Sequence, residues 1–391
     1  MAQAFGHCAI CVLGQFLPCL AKAARIGPMR AWCASWDGTG DSLTSYHPLT
    51  MRPGRRLHWL MFGILLYAAL CFTGGINLAD GALHPARREL TQGEAADFGA
   101  VMREMGAQTE DVALNAPDAA VLRGWLVRPL HANGDAVLLL HGLGDNRLGM
   151  TGYAEMLIGH GYAVLLPDAR AHGLSGGALA TYGLLERNDI REWAGLLADR
   201  AAPRCIYGMG ESMGAAQLLQ SLESRSRFCA VVAESPFSNF REIAYDRMGQ
   251  PFHLGPWVGR TILRPLVEVA FLRARWKYKL DMRQVSPEYA VAQSHVPVLL
   301  IHGQIDSNIP VRHSRRIHDL NPETVLWEVP GADHCGAIAV ARQEFEKRVI
   351  GWMRRPSAAE AADDQRGLAA RLEAAPFPMT LSPLLANAAR N

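Results

Sequence analysis

Five consecutive residues, from Gly210 to Gly214, read Gly-Glu-Ser-Met-Gly and place a glycine two residues before and two residues after Ser212. A short apolar strand is predicted before this pentapeptide, at 204–207, and a helix after it, at 213–222. A serine on a tight turn between a strand and a helix projects its hydroxyl from the sheet, where it can attack a carbonyl carbon. The glycines fit this turn because side chains there would collide with neighbouring backbone. Ser212 is therefore the candidate nucleophile.

A serine hydroxyl is a weak nucleophile and needs a base, which in turn needs an acid to orient it. Asp306 follows a strand predicted at 298–301, and His334 follows a strand predicted at 325–329, so both lie in loops at one edge of the sheet. The order serine, acid, histidine is typical of enzymes with this turn. We predict His334 as the base and Asp306 as its partner. Asp333 is the rival acid, although a carboxylate on the adjacent residue does not readily reach the far nitrogen of the imidazole.

Two backbone N–H groups are needed to stabilise the negative charge that develops on an attacked carbonyl oxygen. Met213, at the start of the helix after the serine, supplies one of them. Leu143 is our choice for the other, in the loop 141–147 that follows the strand predicted at 136–140. We call this segment the oxyanion loop, and we interpret its His141 as a side chain that stabilises the turn.

Most of the 14 histidines must be structural or solvated. His302 lies in the turn after its strand, while His313 and His318 have the spacing of a surface pair on a helix. The segment 168–175 also follows a strand and contains acidic, basic and histidine side chains. We interpret it as a hydrogen-bonded loop that braces the oxyanion loop.

From about residue 110, apolar strands alternate with helical segments. This alternation predicts a mostly parallel sheet that is covered by helices on both faces. The predicted strands are 121–127, 136–140, 162–166, 204–207, 230–233, 298–301 and 325–329. The predicted helices are 153–160, 184–197, 213–222 and 340–353.

The segment 237–295 interrupts this alternation. It is too long for a strand–helix connection, is rich in aromatic and basic residues, and contains no strong strand pattern. We predict that it is a mostly helical insertion above the carboxyl edge of the sheet, and we call it the lid. The whole domain is predicted to cover 110–355, and 356–391 to form a loose Ala-rich tail.

An uncharged apolar run at 59–78 is long enough to cross a bilayer as a helix. Three arginines precede it, so 51–80 is predicted to be a signal anchor, with the chain before it in the cytoplasm and the domain after it outside. A secretory signal peptide cut near 79–81, and a buried core helix, are the alternatives. Residues 1–50 are unlike the rest, and a start of translation at Met51 is a further hypothesis.

The composition of the chain excludes several classes of protein. Its 391 residues are 49% hydrophobic and 19% charged, with a net charge of +2. These values argue against a mainly disordered chain, a small disulfide scaffold and a nucleic-acid partner. The eight cysteines form no evident framework, and Cys8 and Cys11 lack the second pair that a zinc site needs. No metal or organic cofactor is predicted, and the sequence does not specify an oligomeric state.

Five short motifs together resemble the α/β-hydrolase superfamily, and the resemblance covers about residues 110–355. They are His141-Gly142-Leu143, Asp168-x-Arg170-x-His172-Gly173-x-Ser175, Gly210-x-Ser212-x-Gly214, Gly303-x-x-Asp306 and Gly331-x-x-His334. Within the superfamily, the chain looks most like the serine aminopeptidase-like branch (peptidase family S33, or "Hydrolase 4") and related membrane-anchored hydrolases. It departs from that pattern at Glu211, where many relatives have His, and at Ala171, where many have Gly.

The resemblance implies an α/β-hydrolase fold and a role for each matched residue. The implied roles are Ser212 as nucleophile, His334 as base, Asp306 as the residue that orients it, and Leu143 and Met213 as oxyanion donors. We therefore expect a serine hydrolase that forms an acyl-enzyme, and first a carboxylesterase or lipase-like enzyme with a small acyl substrate. A serine aminopeptidase acting on peptides, and an acyl thioesterase or acyltransferase, are the enzymatic alternatives. A catalytically silent binding protein of the same fold is the alternative outside enzymes.

Overall fold

The computed structural model describes residues 53–222 and 226–354 of the chain. In this part of the chain, eight strands form one sheet that is flanked by helices. The strands are β1 (Ala107–Asn115), β2 (Val121–Pro129), β3 (Ala136–Leu140), β4 (Ala163–Pro167), β5 (Ile206–Glu211), β6 (Phe228–Glu234), β7 (Val298–Gly303) and β8 (Val325–Val329). The α-helices are α1 (Pro53–Leu83), α2 (Gln92–Glu104), α3 (Thr151–Gly159), α4 (Glu186–Ala201), α5 (Ser212–Gln220), α6 (Phe240–Gly249), α7 (Trp257–Arg260), α8 (Arg264–Tyr278), α9 (Pro287–Ala292), α10 (Arg312–Leu320), α11 (Ala337–Val340) and α12 (Arg342–Met353).

The strands lie in the order β1-β2-β4-β3-β5-β6-β7-β8. The pairs β1–β2 and β2–β4 are antiparallel, and every other pair is parallel. This is the α/β-hydrolase fold, with a mostly parallel sheet, as the sequence predicts. The sequence analysis missed β1, which is an edge strand with mostly exposed or half-buried residues and carries Glu110 and Asp111. An edge strand of this composition lacks the apolar run that marks the inner strands.

The inner strands are buried on both faces, which explains their continuous apolar runs. Along β3, Val137 and Leu139 point into one apolar cluster, while Leu138 and Leu140 point into the cluster on the other side of the sheet. Because successive side chains of a strand alternate between faces, a five-residue apolar strand fills both layers at once. The two clusters hold β5, β6, β7 and β8 side by side as parallel strands, so that their carboxyl ends meet at one edge.

The predicted lid segment, 237–295, contains α6, α7, α8 and α9 and no strand. A third apolar cluster lies between the lid and this edge of the sheet. It includes Val267 and Phe271 of α8 together with Met213, the residue after the candidate nucleophile. The inner side of the lid is therefore apolar where it comes closest to the site.

The long helix α1 projects from the domain with mostly exposed apolar side chains. Within the described residues, one helix, Arg55–Leu83, is long and apolar enough to cross a membrane by length and composition. Most of that apolar surface is exposed, which does not fit the alternative of a buried core helix. The predicted extension 1–50 and the predicted tail 356–391 lie outside the described residues.

A disulfide bond joins Cys205 to Cys229. Cys205 directly precedes β5, and Cys229 is the second residue of β6, the parallel strand next to it. Both cysteines lie at the edge of the sheet opposite the lid. The sequence analysis did not anticipate this pair, because nothing in a spacing of 24 residues specifies that two cysteines will meet. The pairing of β5 with β6 brings the two cysteines together.

We expect that Cys205→Ala lowers the free energy of unfolding by about 3 kcal/mol, since the bond restricts the unfolded chain. Denaturant unfolding under oxidising conditions measures the change. Reduction of the wild-type protein should lower its stability by a similar amount, while the same reductant should leave the variant unchanged. Equal stability of the oxidised and reduced wild-type protein would contradict the expectation.

Candidate active site

Ser212 occupies a strained turn between β5 and α5. Its φ is +51°, in the left-handed region that side chains rarely adopt. Gly210 and Gly214 make the turn possible, because a Cβ on Gly214 would lie 2.4 Å from the carbonyl oxygen of Leu140. A Cβ on Gly210 would lie 2.7 Å from the carbonyl carbon of Gly214. The pentapeptide therefore folds as the sequence predicts, and it lifts the Ser212 hydroxyl above the end of the sheet.

The structure brings Ser212, His334 and Asp306 into one hydrogen-bonded chain. The Ser212 Oγ atom lies 2.9 Å from His334 Nε2, and His334 Nδ1 lies 2.8 Å from Asp306 Oδ2. A carboxylate accepts hydrogen bonds, so Nδ1 donates to Asp306 and leaves Nε2 free to accept from the serine hydroxyl. The residues come from the ends of β5, β7 and β8, as expected from their positions after predicted strands. This arrangement can remove a proton from Ser212 as the hydroxyl attacks.

Three hydrogen bonds hold the Asp306 carboxylate, and His302 is a further close neighbour. Asp306 Oδ1 accepts hydrogen bonds from the backbone N–H groups of Asn308, at 2.9 Å, and Ile309, at 2.7 Å. On the other side, His302 Nε2 donates to the carbonyl of Ile309 at 2.7 Å and lies 3.3 Å from Oδ2, the atom that faces His334. Burial alone would raise the pKa of Asp306, but the neighbouring His302 and His334 bring the pKa well below its usual value. Asp306 is therefore ionised at neutral pH. His302, for which the sequence predicts only a position in a turn, is a second histidine beside this carboxylate.

Asp333, the rival acid, faces away from the imidazole. Its Oδ1 accepts hydrogen bonds from the backbone N–H groups of Ser307 and His334, each at 2.8 Å, and from the Ser307 hydroxyl at 3.0 Å. These contacts tie the loop that carries His334 to the loop that carries Asp306. Asp333 thus positions the two loops, and Asp306 is the carboxylate that contacts the imidazole.

The oxyanion loop runs directly beside the nucleophile. A Cβ on Gly142 would lie 3.5 Å from the Ser212 Cβ, so the oxyanion loop comes close to the serine at the residue before Leu143. Met213 is the second residue of α5 and lies at the N-terminal end of that helix, where backbone N–H groups have no partner within the helix. The predicted donors Leu143 and Met213 thus lie on two segments that meet at Ser212.

The segment 168–175 braces the oxyanion loop as the sequence analysis expects. The Asp168 carboxylate accepts hydrogen bonds from the backbone and guanidinium of Arg147, at 2.6 to 3.1 Å. His141 Nε2 accepts a hydrogen bond of 3.0 Å from the backbone N–H of Ala169. Both Asp168 and Arg147 are buried, so this ion pair fixes the loop with little competition from water.

Two carboxyl groups lie next to the nucleophile, one on the half-buried Glu211 and one on the buried Glu234. Glu211 was noted from the sequence only as a departure from the family pattern, and Glu234 was not noted. Glu211 precedes Ser212, and its carboxyl group is hydrogen-bonded to the backbone N–H of Gly142. The Tyr153 hydroxyl lies 2.9 Å from Glu234 Oε2 and 3.4 Å from Glu211 Oε2. Burial raises the pKa of Glu211 to about 8, with a further rise from the nearby Glu234 carboxyl, and burial raises the pKa of Glu234 to about 7.

The interpretation of His313 and His318 as a surface pair is wrong for His313. That residue is fully buried, and its Nε2 lies 2.7 Å from Asp246 of the lid. The error arose because its partner lies 67 residues away and no local pattern connects them. His318 is half-buried, with its Nδ1 2.9 Å from the Thr324 hydroxyl. Both side chains are structural.

Comparison with known proteins agrees with this fold. A model of the alpha/beta hydrolase family matches residues 137–348, a range that includes Ser212, Asp306 and His334. The chain therefore belongs to the alpha/beta hydrolase family, and membership of that family supports a hydrolase. The match is to the broad family, so the serine aminopeptidase-like branch stays a prediction.

Three similar proteins illustrate the family. The uncharacterised protein YqkD of Bacillus subtilis is 30% identical over 261 residues, which are 65% of this chain and 82% of YqkD. The lysophosphatidylserine lipase ABHD12 of zebrafish (Danio rerio) is 29% identical over 206 residues, which are half of each chain. Among solved structures, the esterase Pf2001 of Pyrococcus furiosus has a TM-score of 0.54 at 24% identity and covers 70% of this chain and 97% of its own. The last likeness shows the fold alone.

We expect that Glu211→Gln flattens the fall of stability with rising pH. The folded-state pKa, about 8, lies above the ordinary value of 4.5, so ionisation favours the unfolded chain between these values. The free energy of unfolding should decrease from about pH 5 to about pH 8 in the wild-type protein, and less in the variant. Denaturant unfolding across this range measures both slopes. The exposed Glu323→Gln serves as control and should keep the wild-type slope; equal slopes in all three proteins would exclude a protonated Glu211.

Proposed function

We propose that the protein is a serine hydrolase that works through an acyl-enzyme. The observation that carries this proposal is the unbroken hydrogen-bonded chain from Ser212 through His334 to Asp306. In the first step His334 takes the proton of Ser212 while the hydroxyl oxygen attacks the carbonyl carbon. The ionised Asp306 keeps the proton on Nδ1 and stabilises the imidazolium that forms. His334 then gives its proton to the leaving group, and water releases the acid by the same route.

Negative charge on the attacked oxygen requires donors that are already in place. We assign this role to the backbone N–H groups of Met213 and Leu143. The support comes from the close approach of Gly142 to Ser212 and from the start of α5 at the nucleophile. The Asp168–Arg147 ion pair behind the oxyanion loop keeps this geometry from relaxing during the reaction.

An acyl ester is the substrate class that we propose. The cluster between the lid and Met213 is apolar, which suits a hydrocarbon chain next to the serine. One relative bears the name lysophosphatidylserine lipase, which adds an example of this chemistry in a similar chain. Thioesters and acyl transfer to an acceptor other than water use the same residues and stay alternatives.

An aminopeptidase needs a carboxylate that binds the free amino group of its substrate. The carboxylates of the lid are already engaged. Four of them contact arginine side chains: Glu242, Asp246, Glu268 and Glu288. The fifth, Asp281, accepts a hydrogen bond from the backbone of Arg283. This pairing favours an ester over a substrate with a free amino group.

We further propose that α1 anchors the protein in a membrane, with the catalytic domain on the non-cytoplasmic side. Arg55 and Arg56 precede the apolar run, in keeping with a cytoplasmic start. The disulfide between Cys205 and Cys229 suits an oxidising compartment. Retention of the helix, rather than cleavage near 79–81, is favoured because α1 packs along α8 and is joined to it by ion pairs of Asp80.

We expect Ser212→Ala to lower kcat by several orders of magnitude and to abolish labelling by a fluorophosphonate probe. Asp306→Asn should lower kcat by about four orders of magnitude, because the imidazole loses the correct tautomer. Asp333→Asn is the matched control, and it should cost far less, since Asp333 holds loops rather than the imidazole. Steady-state kinetics and probe labelling of the full chain in detergent measure these effects. A wild-type protein that fails to react with the probe would favour a catalytically silent binding protein.

We expect p-nitrophenyl acyl esters to be cleaved with a higher kcat/KM than aminoacyl anilides with a free amino group. The ester chain that gives the highest value gauges the length of the acyl site. Ser212→Ala controls for background hydrolysis of both substrate classes. If Ser212-dependent cleavage of anilides dominates, the enzyme is an aminopeptidase and the ester proposal fails.

A further inference from the structure

Helix α8 of the lid lies alongside α1, and the contacts fix how the two helices are aligned. The Tyr67 hydroxyl donates a hydrogen bond to the carbonyl of Ile262, just before α8. Further along, Gly75 lets α1 approach the backbone of Leu266, since a Cβ there would lie 2.6 Å from its carbonyl oxygen. Asp80 then meets Arg273 at 3.0 Å. The residue numbers of the contacting partners increase together along α1 and α8, so the two helices run in the same direction.

The depth of these contacts in a bilayer follows from helix geometry. The exposed apolar side chains of α1 begin at Leu57, directly after Arg55 and Arg56. At a rise of 1.5 Å per residue, Tyr67 lies about 15 Å beyond Leu57 and Asp80 about 35 Å beyond it. The hydrocarbon core of a bilayer is about 30 Å thick. If α1 spans it, Tyr67 lies near the middle, and the contacts from Tyr67 to Asp80 cover the whole outer leaflet.

The lid therefore cannot sit wholly above the membrane in which α1 is inserted. Its surface carries the side chains that such a position requires. Several of its apolar residues are exposed, and four of them follow one line along α8 or directly before it. These four, which we call the apolar stripe, are Ile262, Pro265, Leu272 and Trp276. Leu254 and Trp257 are exposed at the corner before α8, and Tyr289 is exposed on α9, away from this line.

Helical phase places the stripe opposite the side of α8 that faces the site and next to the side that contacts α1. Pro265 lies about 200° around the helix from Val267, on the line that faces Met213, and about 100° from Leu266, which contacts α1. Val269 also packs against Gly75 of α1 and lies about 20° around the helix from Trp276, so the exposed apolar stripe borders the contact between the two helices. Arg264 lies about half a turn from Leu266, and Arg260 is paired with Glu242 of the lid, so neither interrupts the stripe.

The polarity of α8 also changes at the expected depth. Arg275, Lys277 and Lys279 cluster around Trp276 at the end that lies beside Asp80. This end is level with the boundary of the hydrocarbon, where tryptophan and basic side chains contact headgroups. The deeper end carries the exposed aliphatic side chains of Ile262 and Leu254, with Arg264 as the one exposed basic residue of α8 at that end. A gradient of this kind along one helix fits a lipid leaflet better than the uniform environment of a protein partner.

We propose that the apolar stripe and the corner with Leu254 and Trp257 form a membrane-contacting surface, and that the lid lies in the outer leaflet beside α1. The proposal rests on the membrane anchoring proposed above. Only α8 then separates the leaflet from the cluster that contains Met213. The substrates that this arrangement fits are amphiphiles dissolved in the leaflet, whose acyl chain reaches Ser212 from the membrane side.

Depth-dependent fluorescence quenching tests the proposal on the full chain in phosphatidylcholine vesicles. Bromine atoms placed at different positions on the lipid acyl chains quench tryptophans at matching depth. Single variants, Trp59→Phe, Trp257→Phe, Trp276→Phe and Trp352→Phe, isolate each contribution by difference. Trp352 is the control, because it is buried at the end of α12, where Arg354 hydrogen-bonds to Tyr162 at the edge of the sheet opposite the lid.

We expect Trp257 to be quenched most by deep bromines, Trp276 most by bromines near the headgroups, and Trp352 by neither. Quenching of Trp59 without quenching of Trp257 or Trp276 would overturn the lid contact and leave the anchor in place. Absence of quenching at Trp59 would overturn the anchor and the lid contact together. Labelling of Ser212 by a fluorophosphonate in the same samples reports separately on the catalytic proposal.

Discussion

The charge of Asp306 is the constraint around which the site is built. The residue is 7% exposed, so its carboxylate has little water to stabilise it and relies on donors from the protein. Those donors are the backbone of Asn308 and Ile309, in the loop after β7, and the ring of His334, in the loop after β8, with His302 at the end of β7 as a further neighbour. Because the buried charge must keep these partners, it fixes the orientation of His334, and through it the position at which Ser212 can lose a proton.

A second set of polar side chains lies next to this chain of contacts, and its carboxyl groups have raised pKa values where Asp306 has a lowered one. Glu211 and Glu234 share the Tyr153 hydroxyl, and their raised pKa values favour the neutral form at moderately acidic pH. Asp306 is ionised on one side of Ser212, while Glu211 and Glu234 are protonated on the other side. Negative charge is therefore concentrated on the side of Asp306. In the proposed mechanism, the imidazolium on His334 is stabilised from the side of Asp306.

The features that sequence reasoning found were those with a local signature. Ser212, Asp306 and His334 each follow an apolar strand, and a run of apolar residues before a glycine-containing turn is visible without any tertiary information. The contributions of His302 and Glu234, the burial of His313 and the Cys205–Cys229 bond depend on partners that are distant along the chain. β1 was missed for a different reason: an edge strand is half in water, so its sequence lacks an apolar run. Only the packed structure specifies these pairs.

Helices α1 and α8 are joined at both ends of their contact, by Tyr67 at one end and Asp80 at the other, with close glycine packing between. Two helices fastened in this way move together. A transmembrane helix tilts when the bilayer becomes thinner than its apolar length. Tilt of α1 would therefore be transmitted to the lid as a rotation above the nucleophile. In a membrane-anchored hydrolase of this design, lipid composition and bilayer thickness would act on the opening of the active site as mechanical variables, independently of how much substrate the membrane contains.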